Sequence, residues 1–192
     1  MKILGNNHQI RSIKKLILNK QFPNSLILSG LKGVGKSLIA KNVSLSLVEA
    51  IQTDRIDHLN NESSHNILYI SKEKLFGKKQ IKQLIYRSDI AHINNFFKTR
   101  NENNMKRVCI IDSIDELSLD AINSLLKIIE EPNINSHFII ISHDYRKLLP
   151  SIISRSYQIK FNNFTKEDFT SIIKLEDEFN RSNHTYLYEL SR

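Results

Sequence analysis

Ser25-Leu-Ile-Leu-Ser-Gly-Leu-Lys-Gly-Val-Gly-Lys-Ser-Leu38 joins a short apolar run to a glycine-rich loop and then to a helical pattern. Leu26, Ile27 and Leu28 are continuous hydrophobics of the kind found in a strand buried on both faces, and Gly30-Leu-Lys-Gly-Val-Gly-Lys-Ser37 follows with no gap. That spacing is a complete phosphate-binding loop. The backbone of Gly30, Leu31, Lys32, Gly33, Val34 and Gly35 turns its N–H groups inward around phosphates, Lys36 reaches the outer phosphates, and the Ser37 hydroxyl is a magnesium ligand. The strand before the loop and the amphipathic stretch from Lys36 to about Leu47 distinguish it from a chance match.

Outward from this stretch, strands and helices alternate. Ile10, Ile13, Leu16 and Ile17, with Arg11, Lys14 and Lys15 between them, have the 3.6-residue period of an amphipathic helix before the first strand. Residues 51–64 are polar and predict a loop, residues 66–70 a second strand, and Gly77 the end of the connection after it. Ile81, Leu84, Ile85, Ile93, Phe96 and Phe97 outline helical surface as far as about Lys98, and 101–104 predicts a turn. Arg107–Asp112 is the third strand, and Ser118 is the expected N-cap of a helix that carries Ala121, Ile122, Leu125, Leu126 and Ile129 until Pro132 stops it. A strand at 138–142, a short helix from Pro150, a strand at 157–161 and a helix begun by Thr165 and Asp168 complete the series. This alternation predicts an α/β fold, a parallel sheet flanked by helices with nucleotide at the carboxyl ends of the strands.

Composition narrows the classes. The 192 residues suffice for one sizeable core, and 40% hydrophobic with 25% charged residues is ordinary for a globular chain. No apolar run approaches the roughly 20 residues of a membrane span, and residues 1–10 lack a secretory signal, so a cytoplasmic protein is expected. Cys109 is the single cysteine and sits in an apolar run, which excludes an intrachain disulfide and a multi-cysteine zinc site and predicts a buried hydrophobe, not a nucleophile. The seven histidines show no metal-ligand spacing, so magnesium with nucleotide is the one metal expected. A net charge of +8 suits a polyanionic partner.

A phosphate loop needs an acidic companion for its metal. Asp112, at the end of Val108-Cys-Ile-Ile-Asp112, is placed to hold magnesium near Ser37. The following residue is Ser113, where many such ATPases carry a water-activating carboxylate, which puts hydrolysis in doubt. Asp115 and Glu116 are expected as solvated surface charge.

These residues resemble the clamp-loader ATPases of the AAA+ group that serve bacterial DNA polymerase III. Gly5 and His8, Phe22-Pro-Asn-Ser-Leu-Ile-Leu-Ser-Gly30, Asp115-Glu-Leu-Ser118, Ala121-Ile-Asn-Ser-Leu-Leu-Lys-Ile-Ile-Glu-Glu-Pro132, Phe138-Ile-Ile-Ile-Ser-His143 and Leu148-Leu-Pro-Ser-Ile-Ile-Ser-Arg-Ser156 follow the family's order. The resemblance implies bound ATP or ADP with magnesium, Ser142 as the sensor of the terminal phosphate, and Arg155 as a catalytic arginine finger presented to the neighbouring subunit's nucleotide. It also implies a hetero-oligomer with other loader subunits that acts on a sliding clamp and primed DNA. Residues 1–162 would form the nucleotide-binding domain and 163–192 the start of a helical lid that is cut short at Arg192.

Three departures qualify it. The family's cysteine-rich zinc module is absent, Ser156 replaces the usual cysteine after Arg155, and Ser113 favours a stator-like subunit over the motor subunits, which carry glutamate there. A motor-type loader ATPase and, less well supported, a small-molecule P-loop kinase stay open as alternatives. Lys78, Lys79, Lys82 and Arg87 are spaced to make a basic helical face for DNA backbone, or an ordinary solvated surface.

Overall fold

A computed structural model of the chain describes residues 5–49, 66–76, 84–98, 106–165 and 168. The elements run α1 (Asn7–Leu18), β1 (Ser25–Ser29), α2 (Lys36–Glu49), β2 (Ile67–Ser71), α3 (Lys72–Phe76), α4 (His92–Lys98), β3 (Arg107–Asp112), α5 (Leu119–Glu130), β4 (Ser136–Ser142), α6 (Pro150–Ile153) and β5 (Tyr157–Lys160). The five strands form one parallel sheet in the order β2-β3-β4-β1-β5.

The unbroken apolar runs in the strands follow from helices on both sides of the sheet. Successive strand residues point to opposite faces, so a strand covered on both must be apolar throughout. Leu26, Leu28, Val108, Ile110, Ile139 and Ile141 pack with Ile13 of α1 and Ile39, Val43 and Leu47 of α2. Their neighbours Ile27, Cys109, Ile111, Phe138 and Ile140 pack on the other face with Ile93 and Phe97 of α4 and Ala121, Leu125 and Ile129 of α5. Burial pushes the Cys109 thiol well above its ordinary range, in keeping with a hydrophobe that does no chemistry.

Helix α5 forms as its sequence dictates. The Ser118 hydroxyl accepts the Ala121 N–H at 3.3 Å as an N-cap, and the buried positions 121, 122, 125, 126 and 129 make one stripe. Thr165 and Asp168 likewise bond each other's backbone N–H groups, the reciprocal pattern of a helix start.

Of the helical surface expected from residue 81 to Lys98, the described part, 84–98, is only partly helical. Ile85 forms an isolated parallel bridge with Leu117, donating its N–H to the Glu116 carbonyl at 2.7 Å and accepting from Ser118 N–H at 2.9 Å. Arg87–Ile90 is a 3-10 turn, and α4 begins only at His92. Ile85, Ile90, Ile93 and Phe97 are buried all the same, because the strand-like Leu117 segment offers backbone partners that a helix would not use. The expected loop at 51–64, Gly77, Lys78, Lys79, Lys82, the turn at 101–104 and nearly all of the lid over 163–192 lie outside the described residues. Among those described, no helix is long and apolar enough to cross a membrane.

The outer edge of β5 is covered by side chains from the start of α1. Phe161 turns its N–H toward β1, bonding the Ser29 carbonyl at 2.7 Å, so residues 160 and 162 face away from the sheet. Gln9 Nε2 donates to the Lys160 carbonyl at 3.1 Å, Asn6 Nδ2 donates to the Asn162 carbonyl at 3.0 Å, and Asn6 Oδ1 accepts the Asn162 N–H at 2.8 Å.

Candidate nucleotide site and arginine surface

The sheet order brings the candidate residues together. β1 runs beside β4, with Ser29 opposite Ser142, and β4 beside β3, with Ile141 opposite Asp112, so the phosphate loop leaves its strand where its neighbours end in a serine and a carboxylate. Gly30 N–H donates to the Ser142 carbonyl at 3.3 Å, joining the loop to the end of β4. A side chain at Gly30 would stand 2.7 Å from the Phe161 carbonyl oxygen, so only glycine lets the loop pass β5 this closely. Gly33 and Gly35 take φ of 94° and 83°, and a Cβ at either would meet no atom within 4 Å, which leaves an open cradle over the loop.

Lys36 closes that cradle from below. It is 3% exposed, and its Nζ donates to the Gly30 and Leu31 carbonyls at 2.7 Å each. Burial lowers the Lys36 pKa, while Asp112 and Asp115 oppose that shift. Leu31 and Lys32 are exposed on the loop and Val34 is buried beneath it, holding the turn to the core. Ser37 Oγ donates to Asp112 Oδ2 at 2.6 Å, although the two lie 75 residues apart in sequence. A hydroxyl and a carboxylate beside a phosphate cradle are hard oxygen donors of the kind magnesium takes, so the residues present fit a magnesium nucleotide.

Three further residues meet at the site that the sequence did not place there. Tyr69 donates its hydroxyl to the same Asp112 Oδ2 at 2.5 Å. Asp115, expected as solvated charge, is instead half-buried: its Oδ1 accepts from Ser142 Oγ at 3.1 Å and its Oδ2 from the His143 N–H at 2.5 Å. The 3-10 turn at Ile114–Glu116 folds the chain back so that Asp115 meets the end of β4, where two donors need an acceptor. His143 follows Ser142; burial first, then the Lys36 ammonium, lowers its pKa against the opposing pull of Asp112 and Asp115. Ser113 is buried, and its hydroxyl has no partner among the described residues.

Arg155 lies elsewhere. Its neighbour Ser156 meets Ser25 hydroxyl to hydroxyl at 2.8 Å, at the amino end of β1, whereas the phosphate loop leaves the carboxyl end. At ~3.3 Å per residue the strand alone separates the two ends by more than 10 Å. Arg155 Nε pairs with Glu130 Oε1 at 2.8 Å, both about two-fifths exposed, beside an open cleft lined by Pro23, Asn24, Ile129, Pro132 and Tyr157. Arg87, the described member of the expected basic face, is in the 3-10 turn before α4.

The parallel sheet with its phosphate loop, strand-end carboxylate and strand-end serine defines a P-loop nucleotide-binding protein of the AAA+ class. Solved structures share this fold: a DNA polymerase III gamma subunit-related protein of Thermotoga maritima superimposes with a TM-score of 0.62 at 19% identity, over 83% of this chain and 47% of that one. The RuvB Holliday junction branch migration motor of the same organism does so with a TM-score of 0.59 at 18% identity, over 89% and 50%. The family described as DNA polymerase III, delta subunit, matches residues 5–165, and the chain belongs to this clamp-loader family. It is 28% identical over 153 residues to DNA polymerase III subunit delta' of Buchnera aphidicola (subsp. Baizongia pistaciae), covering 76% of this chain and 46% of the relative. It is 25% identical over 181 residues to subunit gamma of Buchnera aphidicola (subsp. Schizaphis graminum), covering 90% and 47%. The chain thus spans about half the length of these relatives.

Proposed function

We propose that this chain is a delta'-type, stator-like subunit of a DNA polymerase III clamp loader. In this reading it holds ATP or ADP with magnesium through Gly30, Leu31, Lys32, Gly33, Val34, Gly35, Lys36 and Ser37, with Asp112 beside the metal and Ser142 beside the terminal phosphate. Arg155 is donated to the ATP site of an adjacent, different subunit. The assembly then loads a sliding clamp onto primed DNA in the cytoplasm, residues 1–162 serving as the nucleotide-binding domain and 163–192 as the start of the lid.

One observation carries the reading: Arg155 stands at the amino end of β1 and the chain's own phosphate loop at the carboxyl end. An arginine so placed is out of reach of the chain's own phosphates, and in this reading its target is another molecule's nucleotide. Guanidinium stabilisation of the charge on a transferring phosphoryl group is worth roughly 10³ to 10⁵ in rate. Ser113 supports a weak or absent hydrolysis of the chain's own nucleotide, because it has no carboxylate to orient water.

A second reading, a motor-type subunit, draws on the relatives named gamma and tau. ATP turnover by the reconstituted complex separates the two. In the stator reading Arg155→Ala lowers turnover and Lys36→Ala leaves most of it; in the motor reading Lys36→Ala removes a full site's share.

A further inference from the structure

Tyr69 links three elements at the edge of the nucleotide site. It rises from β2, one strand out from Asp112, and its ring lies against α2, with Lys41 Nζ 4.8 Å from the ring centroid. Its hydroxyl reaches Asp112 Oδ2 at 2.5 Å, the oxygen that also accepts from Ser37 at 2.6 Å. The phenol O–H is the donor and the carboxylate oxygen the acceptor.

A carboxylate oxygen has two lone pairs. Ser37 and Tyr69 use both on Oδ2, which fixes the rotation of the Asp112 carboxylate and the direction in which its other oxygen faces. A carboxylate at a strand end would otherwise turn freely about its last bond. We propose that Tyr69 is a positioning residue of the magnesium site, a phenol that orients Asp112 toward the metal while Ser37 holds it from the phosphate helix. This rests on the reading of Ser37 and Asp112 as the magnesium pair. Partners that orient a metal's carboxylate typically change metal affinity by about 10- to 100-fold when removed.

The test is binding of N-methylanthraniloyl-ADP to the full-length protein, followed by fluorescence across a magnesium titration and in EDTA. Tyr69→Phe keeps the ring on Lys41 and removes only the hydroxyl. The expected result is an EDTA affinity equal to that of the unaltered protein, with a magnesium midpoint raised about tenfold. An unchanged midpoint overturns the proposal, and so does an equal loss of affinity with and without magnesium, which marks a packing role alone. Asp112→Asn in the same assay separates the two layers. If it abolishes the magnesium dependence while Tyr69→Phe leaves the midpoint in place, only the role of Tyr69 falls. If magnesium dependence is absent from the unaltered protein, or persists in Asp112→Asn, the metal pair itself is misread and the role of Tyr69 falls with it.

Discussion

Glu130 Oε1 accepts from Arg155 Nε at 2.8 Å, so the carboxylate that ends α5 holds the arginine that follows α6 at the end of the sheet opposite the phosphate loop. The pair is about two-fifths exposed on each side. Exposed ion pairs contribute ~1 kcal/mol or less, so Glu130→Gln should move the urea midpoint very little. Arg155→Ala should be equally mild for folding and for the chain's own nucleotide affinity. Under the proposed role, the same substitution in the assembled complex should cost the neighbouring site roughly 10³-fold or more in turnover. Steady-state hydrolysis beside equilibrium denaturation separates these effects.

Lys36→Ala should weaken nucleotide binding by about 10- to 100-fold, the loss expected for a charged hydrogen-bond donor to phosphate. Its Nζ also bonds two loop carbonyls, so the loop loses an internal clasp. Isothermal titration with ADP and magnesium measures the affinity. A Lys36→Arg variant should recover little of it, since a planar guanidinium does not reproduce the ammonium's paired bonds to the Gly30 and Leu31 carbonyls.

Removing the Asp115 carboxylate should destabilise the fold. Ser142 Oγ and the His143 N–H would both lose their acceptor, and each unsatisfied buried donor costs ~1–3 kcal/mol. Asp115→Ala should therefore lower unfolding free energy by about 2 kcal/mol or more, measured in urea at constant pH. Asp115→Asn keeps one accepting oxygen and should retain part of the loss.

His137 makes stability depend on pH. The ring is 7% exposed, edge-on to Phe22 with centroids 5.4 Å apart, and its Nδ1 donates to the Pro23 carbonyl at 3.0 Å. Burial, the largest cause, lowers its pKa, and Lys106 acts in the same direction while the Pro23 bond opposes them. Above the unfolded value of ~6.5 the ring is neutral in both states, so its contribution is fully present. As pH falls through 6.5 toward the folded value, the unfolded chain binds the proton first and stability is lost. The slope is at most ~1.4 kcal/mol per pH unit for one group, and His143 adds to it with the same sign. His137→Gln should flatten the decline between pH 7 and pH 5 in urea unfolding.

Local features were legible in the sequence wherever a residue's neighbours in space are its neighbours in chain. The loop from Gly30 to Ser37, the strand Arg107–Asp112, the Ser118 cap and the Thr165–Asp168 pairing are all written within a few positions. Tyr69 and Asp115 were not, because their partners lie 43 and 27 residues away and neither residue breaks a period. Tyr69 reads as one more aromatic in a strand, and Asp115 as one more charge in a turn. Ile85 shows the same limit for backbone: its apolar spacing fits a helix, and only the carbonyl and N–H offered by Glu116 and Ser118 make it a bridge. Asp112 and Ser37 were legible as a pair because the chemistry of a magnesium nucleotide requires both.

The three amide contacts along β5 also bear on how these chains behave when crowded together. An uncovered sheet margin is a template on which a foreign strand can zip, the first step toward aggregation. Here Asn6 and Gln9 occupy the Lys160 carbonyl and both outward groups of Asn162, so an incoming strand that extends along this end of β5 must displace three existing bonds. Asn6→Ala with Gln9→Ala would strip that guard and leave the fold's interior untouched, turning a protected border into an adhesive one.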